Sequence, residues 1–297
     1  MQIKRHFLHF AQKGAILLIR TDLAEEKIPE TNKVPEGISK EEKTKGNCKI
    51  ITVDILSDKA SEEIGKPKGR YITIRFNDIN PENFENTAEY ISEEISSLMP
   101  DGKALIACLG NRNITPDAIG PLASEKIIAT RHISDELPEL KEFSSLRQVS
   151  VITMGVLGQT GIESAEIVKA VANDTKPDFV VVIDALACSD TERLCRTIQI
   201  STTGISPGSG VQNSRKELSE KTLGIPVIAI GIPTVVDMHT IAENLTNSPP
   251  DENKENMMVT PRDIDKLVER ASKLIAFSLN RSLFSEFSFK ELEMLSS

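Results

Sequence analysis

Short apolar runs alternate with helical patterns through the middle of the chain, and this alternation restricts the fold more than any other feature. Segments 116–130 and 162–173 carry apolar residues at helical spacing. The apolar runs around them occupy residues 104–109, 149–154, 178–183 and 225–230. Strands that are apolar on both faces and alternate with helices are typical of a parallel sheet covered on both sides. The sequence therefore predicts an α/β, three-layer fold with a mainly parallel sheet flanked by helices.

Further elements extend this pattern toward both ends of the chain. Residues 50–55 and 71–76 are rich in Ile, Val and Thr, which predicts two more strands. Apolar spacing over 81–99 predicts a helix between these strands and the central runs. Thr260 is a good N-cap followed by proline, so a last helix is predicted to begin there, to run to about Ser282 and to pack on the sheet.

Three polar stretches lie outside the alternating pattern. Residues 1–49 are rich in charged side chains, which predicts a mobile leader or surface arm that buries little. Stretches near 202–221 and 246–256 contain clustered Gly, Pro, Asn and Glu. Such clusters are typical of loops, so we predict that both are surface inserts.

The composition excludes several classes of function. The 297-residue chain has a formal net charge of −9, so no basic surface for nucleic acid or for an anionic membrane is expected. No apolar run approaches the ~20 residues that span a bilayer, and the N-terminus does not resemble a signal peptide. We expect a cytoplasmic protein with no direct nucleic-acid partner and no membrane partner.

Residue types that bind metals lack the spacing of a metal centre. The four cysteines, Cys48, Cys108, Cys188 and Cys195, contain no CxxC pair, and the four histidines contain no HExxH pattern. We predict four reduced thiols, no histidine-rich metal site and no cofactor.

Two aspartates follow apolar runs where open parallel sheets bind ligands, beyond the carboxyl ends of the strands. Asp117 lies in the loop after run 104–109, and Asp184 directly follows run 178–183. Each has a structural alternative, because Asp117 suits a helix start and Asp184 could be a buried acid bonded to backbone amides. An unpaired buried carboxylate is costly, so a second acid close by favours a functional pair.

Adjacent carboxylates have two chemical uses. The two groups cannot both ionise easily, so one pKa rises and the pair can share one proton. One member can then activate water while the other protonates a carbonyl oxygen or a leaving amine. The same pair could instead hold a divalent metal through its oxygens. The residues alone leave these alternatives open.

Other strand-end loops supply candidates for substrate binding or loop support. The loop after run 149–154 has glycines that permit a close turn before a helix. It lacks the spacing of a P-loop or of a dinucleotide-binding loop, which argues against a nucleotide site. The acid after run 225–230 is either a third site acid or a helix cap, with the cap favoured. The candidates are Asn111, Asn113, Gly155, Gly158, Gln159, Thr160 and Asp237.

Several long sequence blocks occur in the order of one known family. They are GNRNITPDAIGP, TRHI, MGVLGQTGIESAEIVKAV, PDFVVVIDALA, TIQISTTGISPGSGV and LGIPVIAIGIPTVVD. Over most of its length the chain resembles the spore germination protease family. The resemblance implies an endopeptidase that is made in the developing spore and degrades small acid-soluble spore proteins during germination.

The resemblance also implies a fold, an assembly and a pair of catalytic residues. The fold is similar to that of hydrogenase maturation proteases, the assembly is a homotetramer, and the location is the forespore and spore core. The acids proposed as catalytic in this family lie in its TPDA and IDALA blocks, at Asp117 and Asp184 in this sequence. The family is classed as atypical aspartic peptidases, and no cofactor is implied.

The leader contains a segment similar to the family's self-processing site. Residues 20–26 have the sequence RTDLAEE, in which an acid precedes an apolar residue and alanine, as in the spore-protein substrates. The resemblance predicts cleavage between Asp22 and Leu23. It divides the chain into a propeptide, 1–22, and a single catalytic domain, 23–297.

Two departures from the family pattern and two alternative functions accompany this interpretation. Ser189 stands where the family often has Arg, and Gln212 stands where it usually has Gly. One alternative is a metal-assisted peptidase related to hydrogenase maturation proteases. The other is a catalytically silent spore binding protein. Metal analysis separates the first alternative from an aspartate-dependent peptidase, and asparagine variants of the two acids test the second.

Overall fold

The computed structural model describes residues 20–28, 34–136, 146–208, 215–246, 248 and 255–296. Within these residues the protein is an α/β fold in which helices flank a large sheet, which confirms the predicted fold class. No helix in the described ranges is long and apolar enough to cross a membrane.

Strands and helices alternate along most of the chain. The strands are β1 (Ile38–Lys45), β2 (Cys48–Ile55), β3 (Gly69–Phe76), β4 (Ala104–Cys108), β5 (Val149–Thr153), β6 (Phe179–Cys188), β7 (Thr197–Ser201), β8 (Val227–Asp237) and β9 (Met258–Val259). The helices are α1 (Asp58–Ile64), α2 (Phe84–Ser96), α3 (Ile119–Ser124), α4 (Arg131–Glu136), α5 (Leu157–Thr160), α6 (Ser164–Thr175), α7 (Glu220–Leu223), α8 (Met238–Thr246), α9 (Ile264–Leu283) and α10 (Phe289–Leu295). Short 3-10 turns occupy Glu25–Lys27, Thr115–Asp117 and Thr191–Arg193.

The described strands form one sheet in the order β1-β2-β3-β7-β8-β6-β4-β5, with β9 beside β8. Strands β8, β6, β4 and β5 are parallel and correspond to the four apolar runs. Strands β1, β2, β3 and β7 extend this parallel part by antiparallel pairing. The sequence patterns miss β7, because it is short and Gln199 interrupts its apolar run. The parallel part carries the candidate site.

Helices pack on the two faces of the sheet over separate apolar cores. On one face α2 and α9 pack together, and Ile91, Ile95, Leu274 and Leu279 are fully buried there. On the other face α6 packs through residues such as Val168. Full burial of one Leu or Ile side chain contributes about 1.5–3 kcal/mol, so the apolar stripe of α9 is a main source of cohesion.

Strands β6 and β8 are longer than the sequence patterns predict. The predicted ends at 183 and 230 differ from the observed ends at Cys188 and Asp237. Neighbouring chain segments explain the difference, because β7 and β9 pair with β8 and the leader pairs with β6 beyond the end of β4. Asp184 therefore lies inside a strand rather than directly after one.

Two helices begin at later residues than the sequence predicts. The helix predicted over 116–130 is a 3-10 turn followed by the short α3, which ends at Ser124. Pro121 favours the first turn of a helix over its interior, so α3 begins just before it. The last helix begins at Ile264 rather than Thr260, with Asp263 in the N-cap position.

The prediction of a mobile leader over 1–49 is wrong for the part that the structure describes. Thr21, Leu23, Ala24 and Glu25 are all buried, and strand β1 lies within the same range. The charged composition does not reveal this burial. Leu23 and Ala24 enter apolar pockets of the fold, and the buried Glu25 forms ion pairs with arginines. Residues 1–19 and 29–33 lie outside the described residues.

The two predicted surface inserts are only partly described. In 202–221, Ile205 and Leu218 form an isolated antiparallel bridge, and α7 begins at the end of the stretch. Residues 209–214, which include Gln212, lie outside the described residues, as does most of 246–256.

The four cysteines are free thiols, as predicted, and the structure buries all four. Burial raises the pKa of each thiol, so these groups stay protonated and behave as small apolar side chains.

Candidate active site

Asp117 and Asp184 lie at the edge of the sheet where β4 ends. The pairing of β4 with β6 stops at Cys108 and Ile183, and the Leu109 N–H donates to Ile183 O at 2.8 Å. Asp184 is the next residue of β6, so it lies beside the loop that follows β4. That loop carries Asp117 in its 3-10 turn. The structure thus brings the two sequence-predicted acids to one place.

The loop after β4 fixes Asp117 through its own backbone. The Asn111 N–H donates to Asp117 O at 3.0 Å and to Asp117 Oδ2 at 2.9 Å. Gly110 has φ of 116°, and a Cβ there would lie 2.0 Å from Asp117 O, so only glycine fits. Thr234 of β8 donates its hydroxyl to Pro116 O at 2.6 Å, which ties the loop to the sheet.

Asp184 is almost completely buried, with 5% of its surface exposed. Its Oδ1 accepts the N–H of Ala185 at 2.9 Å. Burial raises its pKa well above the ordinary value, the negative charge of Asp117 raises it further, and Asp22 adds a smaller effect. One backbone donor opposes these effects without cancelling them, so Asp184 holds a proton over a wide range of pH.

Asp117 is less buried, and burial raises its pKa to about 6, with the Asn111 N–H acting in the opposite direction. Near neutral pH, Asp117 is therefore ionised while Asp184 keeps its proton. One ionised and one protonated carboxyl group side by side are the two parts of a general acid–base pair.

Replacement of Asp117 by asparagine is expected to stabilise the folded protein at neutral pH. An acid whose folded-state pKa is raised from 3.8 to about 6 contributes stability that is present below its unfolded pKa and is lost as pH rises through its folded pKa. Asparagine cannot ionise, and its Oδ1 can still accept the Asn111 N–H. We expect the free energy of unfolding in urea titrations to be about 1–3 kcal/mol higher for Asp117→Asn than for the parent at pH 7.5. At pH 4.5 the difference should be much smaller. An equal difference at both pH values would contradict the raised pKa.

Four of the other predicted residues form one cluster beside Asp117. The Gln159 side chain donates Nε2–H to Asn111 Oδ1 at 2.8 Å, and the Asn113 N–H donates to the same oxygen at 3.0 Å. Gly155 lies close by, since a Cβ there would be 2.6 Å from Gln159 Oε1. These residues line a hollow of about 350 Å³ between the ends of β4 and β5. The cluster supports the loop that holds Asp117.

The remaining predicted residues lie apart from the two acids. Thr160 donates its hydroxyl to Ile162 O at 3.0 Å, and a Cβ at Gly158 would meet nothing within 4 Å. Asp237 accepts the Thr240 N–H at 3.0 Å in the first turn of α8 and forms an ion pair with Arg20 at 2.7 Å. The bond to Thr240 fits the favoured interpretation of Asp237 as a helix cap. The ion pair with Arg20 is an additional contact with the leader.

The predicted cleavage segment lies against the far end of β6. The Asp22 N–H donates to Ala187 O at 2.9 Å, and the Ala187 N–H donates to Asp22 Oδ2 at 2.9 Å. Leu23 is fully buried in an apolar pocket with Leu186 and Val236. Ala24 is fully buried in a second pocket, formed mainly by β2 and α1. The acid–apolar–alanine pattern therefore matches three adjacent contact sites.

Two side chains hold the carbonyl of the predicted cleavage bond. Lys66 Nζ donates to Asp22 O at 2.8 Å, and Gln199 Nε2 donates to the same oxygen at 3.0 Å. Gln199 also accepts the Ala24 N–H on its Oε1 at 2.7 Å, so its amide spans both sides of the Asp22–Leu23 bond.

A cluster of charges holds the next two residues of the segment. Glu25 forms ion pairs with Arg75 and Arg193, and its side chain is 1% exposed. Glu26 pairs with Arg193 at 2.9 Å and accepts the backbone N–H groups of Ser189 and Asp190 at 2.9 and 3.1 Å. Ser189, which departs from the family pattern, thus contacts the segment through its backbone.

A cleft of about 400 Å³ runs along the segment. Its lining includes Asp22, Lys66, Leu186, Gln199 and Gly231. Neither catalytic candidate lines it. Register nevertheless connects the cleft with the acids, because Gly231 of β8 pairs with both Gln199 and Asp184. Side chains paired in this way point to the same face, so Asp184 and Gln199 face the same side of the sheet two strands apart.

Sequence reasoning missed Lys66, Gln199 and Arg193. Gln199 carries a signal, since it is a long polar side chain in the otherwise apolar run TIQIS. Lys66 and Arg193 lie in polar connections, where their residue types are common and carry no signal. Among the residues described, no group of three or more His, Cys, Asp or Glu side chains could hold a metal ion.

Comparison with solved structures matches this chain to the NiFe hydrogenase maturation protease HycI from Thermococcus kodakarensis. The two are 18% identical with a TM-score of 0.34, and the match covers 63% of this chain and 98% of that chain.

Comparison with protein families and curated proteins gives longer matches. The germination protease family matches residues 18–247, which include Asp22, Asp117 and Asp184. A germination protease of Clostridium tetani is 43% identical over an alignment of 310 positions that covers 89% of this chain and 95% of that protein. One of Bacillus subtilis is 46% identical over an alignment of 243 positions that covers 76% of this chain and 66% of that protein. The chain belongs to the germination protease family.

Proposed function

We propose that this protein is an endopeptidase of the atypical aspartic type, with Asp117 and Asp184 as its catalytic pair. The observation that carries the proposal is the pairing of two carboxyl groups with raised pKa at the edge of the parallel strands. Membership of the germination protease family supplies the reaction, which is hydrolysis of a peptide bond.

The unequal burial of the pair assigns a role to each acid. Asp117, with a pKa of about 6, is the one that ionises near neutral pH, so it acts as the base that takes a proton from water. Asp184 is buried more deeply and faces the charge of Asp117, so it keeps its proton and acts as the acid. In this division Asp117 activates water and Asp184 protonates the substrate.

The substrate and the setting are proposed from the family. Relatives that are 36–46% identical carry the name germination protease. On that basis we propose that this chain degrades small acid-soluble spore proteins during germination. We further propose that it works as a homotetramer in the forespore and spore core, without a cofactor.

Self-processing is part of the same proposal. Asp22, Leu23 and Ala24 occupy separate contact sites, and the carbonyl between the first two accepts two hydrogen bonds. These contacts support a role for residues 20–26 as a substrate that the chain carries in itself. Cleavage after Asp22 would release a propeptide, 1–22, from a domain that starts at Leu23.

N-terminal sequencing of the incubated full-length protein tests this function. We expect a new N-terminus at Leu23, formed faster at pH 7 than at pH 5, since only the state with one shared proton supports catalysis. This state forms as Asp117 ionises near pH 6 and is lost only when Asp184 also ionises. Asp117→Asn, incubated in parallel, is the control for a contaminating protease and should keep its original N-terminus. A new terminus elsewhere, or equal cleavage in the control, would contradict the proposal.

Two additions to the same experiment address the alternatives. A metal-assisted peptidase would lose activity in the presence of a chelator, whereas we expect an unchanged rate. A catalytically silent binding protein would leave the parent uncut at every pH and would also leave a peptide containing RTDLAEE intact.

A further inference from the structure

Lys66 and Gln199 meet at one atom, the carbonyl oxygen of Asp22. Their donor distances of 2.8 and 3.0 Å are those of good hydrogen bonds. The two donors come from separate parts of the fold, since Lys66 follows α1 and Gln199 lies in β7. Two donors that converge on one carbonyl oxygen resemble the arrangement that stabilises negative charge in acyl-transfer enzymes.

The Lys66 ammonium lies in a setting that strengthens such an interaction. Burial lowers its pKa, and the charge of Lys27 acts in the same direction, while Asp22 and Glu26 act in the opposite direction. Removal from water makes a charge act more strongly on an oxygen that gains negative charge.

Gln199 adds a reason to regard the contact as specific to the bond. Its amide donates to the carbonyl before the bond and accepts the N–H of Ala24, one residue beyond it. The peptide is thereby held in one register and one orientation. Because the bound peptide is already oriented, less entropy has to be lost on the way to the transition state.

We propose that Lys66 and Gln199 form the oxyanion-stabilising site of this peptidase. The proposal rests on the proposed function, and it adds two catalytic residues to the two acids. Water adds its oxygen to the carbonyl carbon of Asp22 and gives a proton to the base, and the carbonyl π electrons move to the oxygen that both side chains bind. When the intermediate collapses, the C–N bond breaks, the Leu23 nitrogen receives the proton held by Asp184, and the oxygen regains its double bond in the new carboxyl group.

Self-processing of the full chain tests the proposal with four variants. Lys66→Met removes the charge and keeps the stem, and we expect the rate constant to fall by about 10²-fold or more, as for loss of one oxyanion donor. Lys66→Arg keeps a charged donor and should recover part of the rate. Gln199→Glu keeps the acceptor for Ala24 and loses the donor, so it should also be slow. Lys68→Met is the matched control, because Lys68 pairs with Asp58 at 2.7 Å on the surface.

Hydrogen exchange separates catalysis from anchoring. It is measured at the Leu23 and Ala24 amides in an uncut Asp184→Asn background, with and without Lys66→Met. We expect similar exchange in both, since the contact gains most of its strength when the oxygen becomes negative. Exchange that rises in proportion to the lost rate would overturn the proposal in favour of an anchor.

Failure of this proposal is distinguishable from failure of the proposed function. A parent that never cuts after Asp22 would overturn both. A parent that cuts, with Lys66→Met and Gln199→Glu within about threefold of it, would overturn only the oxyanion site. If urea titrations show that Lys66→Met does not fold, the rates of Lys66→Arg and Gln199→Glu decide instead, because both variants retain polar side chains in the same positions.

Discussion

Asp184→Asn is expected to lower the rate of cleavage after Asp22 by at least ~10³-fold, within the range that general acid–base groups contribute. Asparagine keeps the shape of the side chain, and its Oδ1 can still accept the Ala185 N–H. It cannot release or accept the proton that the pair must move. The folded protein should lose no stability, because the variant also removes a carboxyl group whose burial is costly.

The matched control for this variant is Asp178→Asn. Asp178 directly precedes β6, at the opposite end of the strand, is exposed, and accepts the Lys103 N–H at 2.6 Å. The same chemical change there should leave the rate within about twofold, since no reacting group is near. Cleavage is followed both in the chain itself and in a separate peptide containing RTDLAEE. An Asp184→Asn variant that cuts at the rate of Asp178→Asn would remove Asp184 from the mechanism.

The parallel core and the acid pair could be predicted from the sequence for the same reason. Runs such as FVVVI are apolar on both faces and so belong to buried parallel strands. An acid that follows such a run stands out, because burial without a function or a partner is costly. Asp184 was identifiable in this way, and the resemblance to the family raised Asp117 above the alternative of a helix cap.

The cleft and the leader could not be predicted in the same way. Strand β7 pairs with β3 and β8, which are distant in sequence, and local residue spacing does not encode such pairing. The position of Gln199, two strands from Asp184, could therefore not be predicted. The buried state of Glu25 depends on Arg75 and Arg193, which are distant in sequence. A charged composition predicts exposure correctly only when no opposite charges meet it inside the fold.

Arg193→Met is expected to lower the free energy of unfolding by about 3 kcal/mol or more at pH 7.5, as for removal of one partner from a buried ion pair. The Arg193 side chain is 12% exposed and contacts Glu25 and Glu26, which are 1% and 3% exposed. Methionine preserves much of the apolar stem, but it leaves Glu25 with Arg75 as its arginine partner and removes the ion pair of Glu26. Urea unfolding at pH 7.5 and 5 measures the effect, which should shrink at the lower pH because the carboxylates can then take up protons.

The control for this last variant is the same substitution at an exposed pair. Arg112 and Glu125 form an ion pair with side chains 53% and 51% exposed, and such pairs contribute about 0–1 kcal/mol. Arg112→Met should therefore lower the free energy of unfolding by less than ~1 kcal/mol. Both variants remove one positive charge, so the difference between their losses measures the effect of burying the ion pair. Adding Glu26→Gln to Arg193→Met should restore part of the loss, since it removes one of the unpaired acids. A loss no larger than that of Arg112→Met would mean that Arg75 and the backbone N–H groups of Ser189 and Asp190 hold the segment without Arg193.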